Sequence, residues 1–133
     1  MKQVFVLRHA HKNILTGGIS KKGEEQCQEI AKLLPTFDIA ISSEKKRAKE
    51  TAMHMTNTEP LEDNRANIEH DTGKELIELI KETIKKLENN QNALIISHSP
   101  AMTAAYYILT KQDAHFNALQ GFEIDDKGNV KKA

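Results

Sequence analysis

The stretch Val4-Phe5-Val6-Leu7-Arg8-His9-Ala10-His11 decides how this chain is read. An apolar run ends abruptly in an arginine and a histidine. A continuous aliphatic and β-branched run marks a strand buried on both faces, as in a parallel sheet. In open α/β sheets, ligands bind just past the carboxyl ends of the strands. The first strand is therefore placed at about Gln3 to Leu7, with Arg8 and His9 where chemistry is done.

Two later runs repeat the pattern. Ile39-Ala40-Ile41 stops at Ser42-Ser43, and Arg47 lies one turn into the helix that follows, through about Met55. Ala93-Leu94-Ile95-Ile96-Ser97 stops at His98. Ser99 can cap the next helix, with Pro100 at the first helical position, where its missing N–H does no harm. Helical spacing fills the gaps. Ser20 can cap a helix over Lys21 to Leu34, which Pro35 ends. Thr72 and Glu75 read as a capping box that opens a helix to about Leu87. Asn57 to Asp71 has no periodicity and reads as a loop. Leu119 to Ile124 and Asn129 to Lys132 read as strands joined by an Asp126-Lys127-Gly128-Asn129 turn. Strands alternating with helices predict an α/β fold, a three-layer α/β/α sandwich with a mostly parallel central sheet. The last hairpin can add an antiparallel edge strand. One domain is expected over residues 1–133.

Composition narrows the partners. Lys+Arg and Asp+Glu both number 19, so formal net charge is zero and gives no global reason to expect nucleic-acid or membrane binding. Tryptophan is absent and aromatics are few, which argues against base stacking. The single Cys27 excludes an intramolecular disulfide and suits a reducing compartment, so a cytoplasmic location is expected. Cys27 falls in a helical pattern and reads as a small packing residue. The apolar run Val4 to Leu7 is shorter than the ~7–15 residues of a signal-peptide core. No stretch reaches the ~20 apolar residues of a membrane span.

In a parallel sheet the three strand ends lie side by side. They bring together Arg8 and Arg47, His9 and His98, and a helix N-terminus. That set suits a phosphate. Guanidinium groups make planar, charge-assisted bonds to phosphoryl oxygens. A helix start adds free N–H groups and a positive dipole end. A neutral imidazole can attack phosphorus and hold a phosphoryl group covalently. The His9-Ala10-His11 spacing also resembles the His-x-His start of metal-dependent amidohydrolases, but their barrels need ~250 residues. No Gly-x-Ser-x-Gly elbow of a serine hydrolase is present.

Four segments in order carry a family resemblance. Leu7-Arg8-His9-Ala10 resembles the Arg-His-Gly motif of the histidine phosphatase (phosphoglycerate mutase-like) superfamily. Ile19-Ser20-Lys21-Lys22-Gly23-Glu24-Glu25-Gln26 is similar to its Leu-Thr-x-x-Gly-x-x-Gln segment. Ser42-Ser43-Glu44-Lys45-Lys46-Arg47-Ala48-Lys49-Glu50-Thr51-Ala52 is similar to its Ser-x-x-x-Arg-Ala-x-x-Thr-Ala segment, and Leu94-Ile95-Ile96-Ser97-His98 resembles its second histidine motif. The short length and the Ser-His-x-Pro form ending in His98-Ser99-Pro100 resemble small bacterial phosphohistidine phosphatases of the SixA type.

The resemblance implies that His9 becomes phosphorylated, that Arg8 and Arg47 bind phosphoryl oxygens, and that His98 bonds the same group. Water would then release phosphate, with no metal and no cofactor. Leu61-Glu62-Asp63 lies where some relatives carry a general acid, which makes Asp63, with Glu62 beside it, the candidate. Ala10 stands where the family has glycine, and the loop is expected to accommodate it. Lys12 stands at a position the family usually gives to threonine, and reads either as a charge at the pocket mouth or as a solvated residue. His11 is expected to be a loop residue near the pocket. There is little room for an insertion that caps the site, so an open site for a phosphorylated protein is expected, with small phosphorylated substrates as the other class. The alternative is a catalytically weak or inactive module that binds phosphate or a phosphoprotein.

Overall fold

A computed structural model describes residues 1–133. The elements in chain order are β1 (Gln3–Arg8), α1 (Lys21–Ala31), β2 (Ile39–Ser42), α2 (Lys46–Thr56), β3 (Leu61–Glu62), α3 (Lys74–Lys86), β4 (Asn92–Ser97), α4 (Ser99–Thr110), β5 (Gly121–Asp125) and β6 (Val130–Lys132). They build one six-stranded sheet in the order β3-β2-β4-β1-β5-β6. The first four strands of that order run parallel; β5 is antiparallel to β1, and β6 to β5.

The opening run explains the three layers. Successive side chains of a strand point to opposite faces. Val4 and Val6 of β1, with Ala93 and Ile95 of β4, pack on one face against Leu76, Leu79 and Ile80 of α3 and Met102 and Ala105 of α4. Phe5 and Leu7, with Leu94 and Ile96, pack on the other against Cys27 of α1 and Ala48, Ala52 and Met55 of α2. Each fully buried aliphatic side chain contributes roughly 1.5–3 kcal/mol, so the two central strands anchor both layers. The three-layer sandwich read from the sequence is present. No helix is long and apolar enough to cross a membrane.

Several boundaries differ from the sequence reading. Helix α1 stops at Ala31 rather than Leu34. Ahead of Pro35 the chain tightens into i→i−3 bonds, Leu33 N to Ile30 O at 2.9 Å and Leu34 N to Ala31 O at 3.4 Å. Thr72 and Glu75 do not form a capping box. Gly73 is the N-cap, at φ +81° and without a side-chain cap bond, and the Thr72 hydroxyl donates to the Glu75 carboxylate instead, at 3.1 Å. A Cβ on Gly73 would run into the Ala104–Ala105 backbone of α4, so close helix packing selects glycine there. His98, not Ser99, is the N-cap of α4, and Ser99 is already helical. The segment read as a loop over Asn57 to Asp71 contains β3 and a 3-10 turn, Asn64–Ala66. Leu119 precedes β5 at φ +59° rather than lying within it.

Candidate active site

Three parallel strands end side by side, as their apolar runs predicted. The His9 N–H donates to Ser97 O at 3.2 Å, and the Ser43 N–H to Ile96 O at 3.3 Å. The ends of β1, β2 and β4 are thereby tied together. A cavity of about 450 Å³ opens over them. Arg8, His9, Ala10, His11, Lys12 and Arg47 line it, with Ile14, Ile68 and Ala118 completing the wall.

His9 is 8% exposed, and its tautomer follows from its neighbours. Nδ1 lies 2.8 Å from the Ala10 carbonyl, which only accepts, so Nδ1 carries the proton. Arg47 Nε donates to Nε2 at 3.3 Å, so Nε2 holds a lone pair. Burial lowers the pKa of His9 to about 4, against the bond to Ala10 that raises it, and the Arg47, Arg8 and Lys12 charges lower it further. The imidazole is neutral at physiological pH.

His98 is 1% exposed, with its ring 5.2 Å from that of His9. Its Nε2 lies 2.8 Å from the Ser43 hydroxyl. That oxygen also accepts from Lys45 N at 3.4 Å. The other ring nitrogen, Nδ1, is buried without a partner. Burial lowers the His98 pKa to about 3, with His9, Arg47, Lys45 and Arg8 acting in the same sense. A buried polar atom with no partner is costly, and here it stands beside a cluster of cations.

The arginines are held from outside the site. Arg8 Nη1 donates to Phe116 O at 3.0 Å. Phe116 is locked in turn by an edge contact with Tyr106 at 5.6 Å between centroids and a tilted one with Phe122 at 5.9 Å. Arg47 projects from the first turn of α2. Thr51, one turn later, accepts from Ala10 N at 2.9 Å and donates to Arg47 O at 2.7 Å, so the loop after His9 is pinned to that helix. Ala10 is fully buried and its φ lies outside the left-handed region. The loop accommodates the alanine as expected. His11 is exposed and structural: its Nδ1 lies 2.9 Å from the Ser20 hydroxyl that caps α1, and its carbonyl accepts from Ser20 N at 2.8 Å. Lys12 lines the cavity, which favours the first of its two readings.

The structure brings Arg8, His9, Arg47 and His98 together but does not bring in the two carboxylates. Asp63 caps the 3-10 turn and is gripped by Arg65, whose Nε and Nη2 donate to its oxygens at 3.0 and 2.9 Å. Those bonds hold its carboxyl below the usual carboxylate range. A carboxylate held ionised cannot lend a proton, so Asp63 is corrected from general acid to cap. Glu62 pairs with Lys49 at 3.3 Å and faces a separate hollow of about 600 Å³ beside β3 that contains none of the four converging residues. It is likewise removed from the catalytic set. Asp63→Asn is expected to leave kcat within about twofold and to lower stability by about 1 kcal/mol, given the partial exposure of the pair. Loss of a working acid would instead reduce kcat by about 10²- to 10⁴-fold. Steady-state rates and thermal melts separate the two.

Sequence reading did not single out Ser43 as the partner of His98, Thr51 as the anchor of Ala10, or Phe116 as the rest for Arg8. Ser43 and Thr51 do occupy fixed places in the segment that includes Arg47.

No family model and no curated protein matches the chain. Solved structures do. A mutant phosphoserine phosphatase from Entamoeba histolytica, in complex with phosphoserine, matches with a TM-score of 0.77 at 15% identity, over 100% of this chain and 95% of that one. The protein histidine phosphatase SixA, complexed with tungstate, matches with a TM-score of 0.76 at 19% identity, over 98% and 94%. A phosphoglycerate mutase from Plasmodium falciparum matches with a TM-score of 0.66 at 17% identity, over 99% and 88%. The chain therefore has the phosphoglycerate mutase-like fold shared by the histidine phosphatases.

Proposed function

We propose that the protein is a phosphatase that transfers a phosphoryl group to His9 and then to water, acting on a phosphoramidate or phosphomonoester, with protein-borne phosphohistidine the favoured substrate. The observation that carries this is the protonation state of His9. Its Nε2 lone pair is free of a proton, and the guanidinium of Arg47 stands against it. His9 and His98 both stay neutral among four cations, Arg8, Lys12, Lys45 and Arg47, which leaves the site's positive charge for a phosphoryl dianion.

Arg47 turns from Nε2 to a phosphoryl oxygen as substrate enters. The Nε2 lone pair forms a bond to phosphorus while the bond from phosphorus to the leaving group breaks, its electron pair going to the leaving group. The leaving group takes a proton from solvent. Arg8, Arg47 and His98, whose Nδ1 has no partner within the fold, stabilise the equatorial oxygens. Water then attacks the same phosphorus, the N–P bond breaks back to Nε2, and phosphate departs with the excess proton passing to solvent.

No carboxylate lines the cavity, which favours leaving groups that need no side-chain acid. A phosphohistidine imidazole, once protonated, is such a group, whereas a sugar alkoxide is not. The test is turnover of a histidine-phosphorylated protein against small sugar phosphates. Faster hydrolysis of the protein is expected; faster hydrolysis of the sugar phosphates sinks the substrate assignment. The reducing setting that suits the free, buried Cys27 agrees with a cytoplasmic enzyme.

The depressed pKa of His9 makes a signed pH prediction. Attack needs neutral His9, so kcat/KM, corrected for titration of the substrate, stays level from pH 8 to about pH 5 and falls below about pH 4. A histidine at its ordinary pKa would give the fall near pH 6.5. Stability moves with it. Below pH 6.5 the unfolded chain binds protons on these histidines that the folded chain refuses, so stability declines as pH drops from 6.5 through about 4 for His9 and about 3 for His98. A pH series of rates and melts checks both.

A further inference from the structure

Between β1 and α1 the chain rises in an arm whose tip nothing in the fold covers. Lys12 and Ile19 pair across its base in an antiparallel bridge. Asn13 N donates to Gly18 O at 2.7 Å, Gly17 N to Asn13 O at 2.9 Å, and Leu15 N to the Asn13 side chain at 2.9 Å. Gly17 closes the turn at φ +77°. From α2, Glu50 fixes the stalk by accepting from Ile19 N at 2.9 Å, and lies against Gly18 where any Cβ would collide with it. The backbone is thus held by defined bonds. Its tip lifts Ile14 and Leu15 into water, 88% and 95% exposed. Single exposed apolar residues are ordinary. An adjacent pair on a braced turn beside a reactive cavity is not accounted for by packing, since neither joins the core on either face. Ile14 lines the same cavity as His9, with the exposed Ile68.

We propose that the Asn13–Gly18 arm is a docking finger for the phosphorylated protein: Ile14 and Leu15 pack on apolar side chains beside the phosphorylated residue while its phosphoryl group enters between Arg8 and Arg47. This rests on the phosphatase reading above. Charge and shape select the occupant. The cavity wall carries Arg8, Lys12 and Arg47 and no carboxylate, so it complements a phosphoryl dianion. A small phosphorylated metabolite seated on His9 offers no apolar surface to Leu15, whereas a protein surface does. A second copy of this chain would set an equally cationic mouth against this one.

The test compares the unsubstituted protein with Leu15→Asp and Leu15→Ala variants, which leave the cavity wall untouched, all checked by thermal melts. The probes are a protein phosphorylated on histidine and phosphoramidate itself. The aspartate variant is expected to lose about 10- to 100-fold in kcat/KM toward the phosphoprotein, mostly through KM, as fits loss of one buried apolar side chain. The alanine variant is expected to lose part of that, and both keep kcat/KM for phosphoramidate within about twofold. Equal losses on both probes, or none on the phosphoprotein, overturn the docking role and leave the phosphatase reading intact. A dimer that the aspartate variant splits with no change in phosphoprotein kinetics overturns it in favour of a second copy. If the unsubstituted protein hydrolyses neither probe, the phosphatase reading fails and the docking role with it.

Discussion

His9→Ala is expected to lower kcat/KM for phosphoramidate and for a histidine-phosphorylated protein by about 10⁴-fold or more, the scale seen when a covalent nucleophile is removed. The variant keeps Arg8 and Arg47: Arg8 rests on Phe116 O, and Arg47 loses its bond to His9 but stays on the first turn of α2. Phosphate or vanadate affinity should therefore change far less than turnover. The substitution also removes an imidazole whose burial opposed protonation, so the decline in stability between pH 6.5 and about 4 should become shallower. A His9→Ala protein that turns over within tenfold of the unsubstituted one would mean that His9 is not the group that attacks phosphorus.

The second large effect belongs to Arg47. Arg47→Ala is expected to lower kcat by about 10²- to 10³-fold, the loss typical of one fixed donor to a developing oxyanion. Two features set that scale. Arg47 is the side chain that contacts the reactive nitrogen directly, at 3.3 Å, so it is placed to follow the phosphoryl group through the transfer. It also carries charge that helps keep both histidines neutral. Arg47→Lys keeps the charge but loses the planar fork, and its rate should fall between the two. The acid limb of the pH profile should move upward in Arg47→Ala, because one cause of the depressed His9 pKa is gone. A drop of less than tenfold in Arg47→Ala, with no shift of that limb, would contradict this placement.

The parts legible in the sequence were those decided by local pattern. Buried strands β1 and β4 read as unbroken apolar runs because helices cover both of their faces. The polar residues ending them fell at the sheet's reactive edge because parallel topology leaves no other place. Strand β3 was hidden because it is two residues long and exposed, so burial imposes no pattern on it. The Thr72–Glu75 pair was misleading because spacing cannot reveal that α4 presses on Gly73 and drives the N-cap to positive φ. Asp63 was misleading for a similar reason. An acidic residue in a polar segment reads the same whether it faces a substrate or Arg65, and its Arg65 partner also bonds Glu78 and Glu82 from α3. The supports of the site, Ser43 to His98 and Arg8 to Phe116, join residues 55 and 108 positions apart. No local period encodes such pairs; only the folded sheet brings them together.

The central claim is that the phosphoryl group passes through His9, and rapid alkaline-denaturant quench trapping with a substrate labelled in its phosphoryl group tests it most directly. The account predicts acid-labile, base-stable label on the unsubstituted protein within the first turnover, and none on His9→Ala. Turnover without any trapped label, equal label on His9→Ala, or vanadate binding with no turnover at all would contradict it.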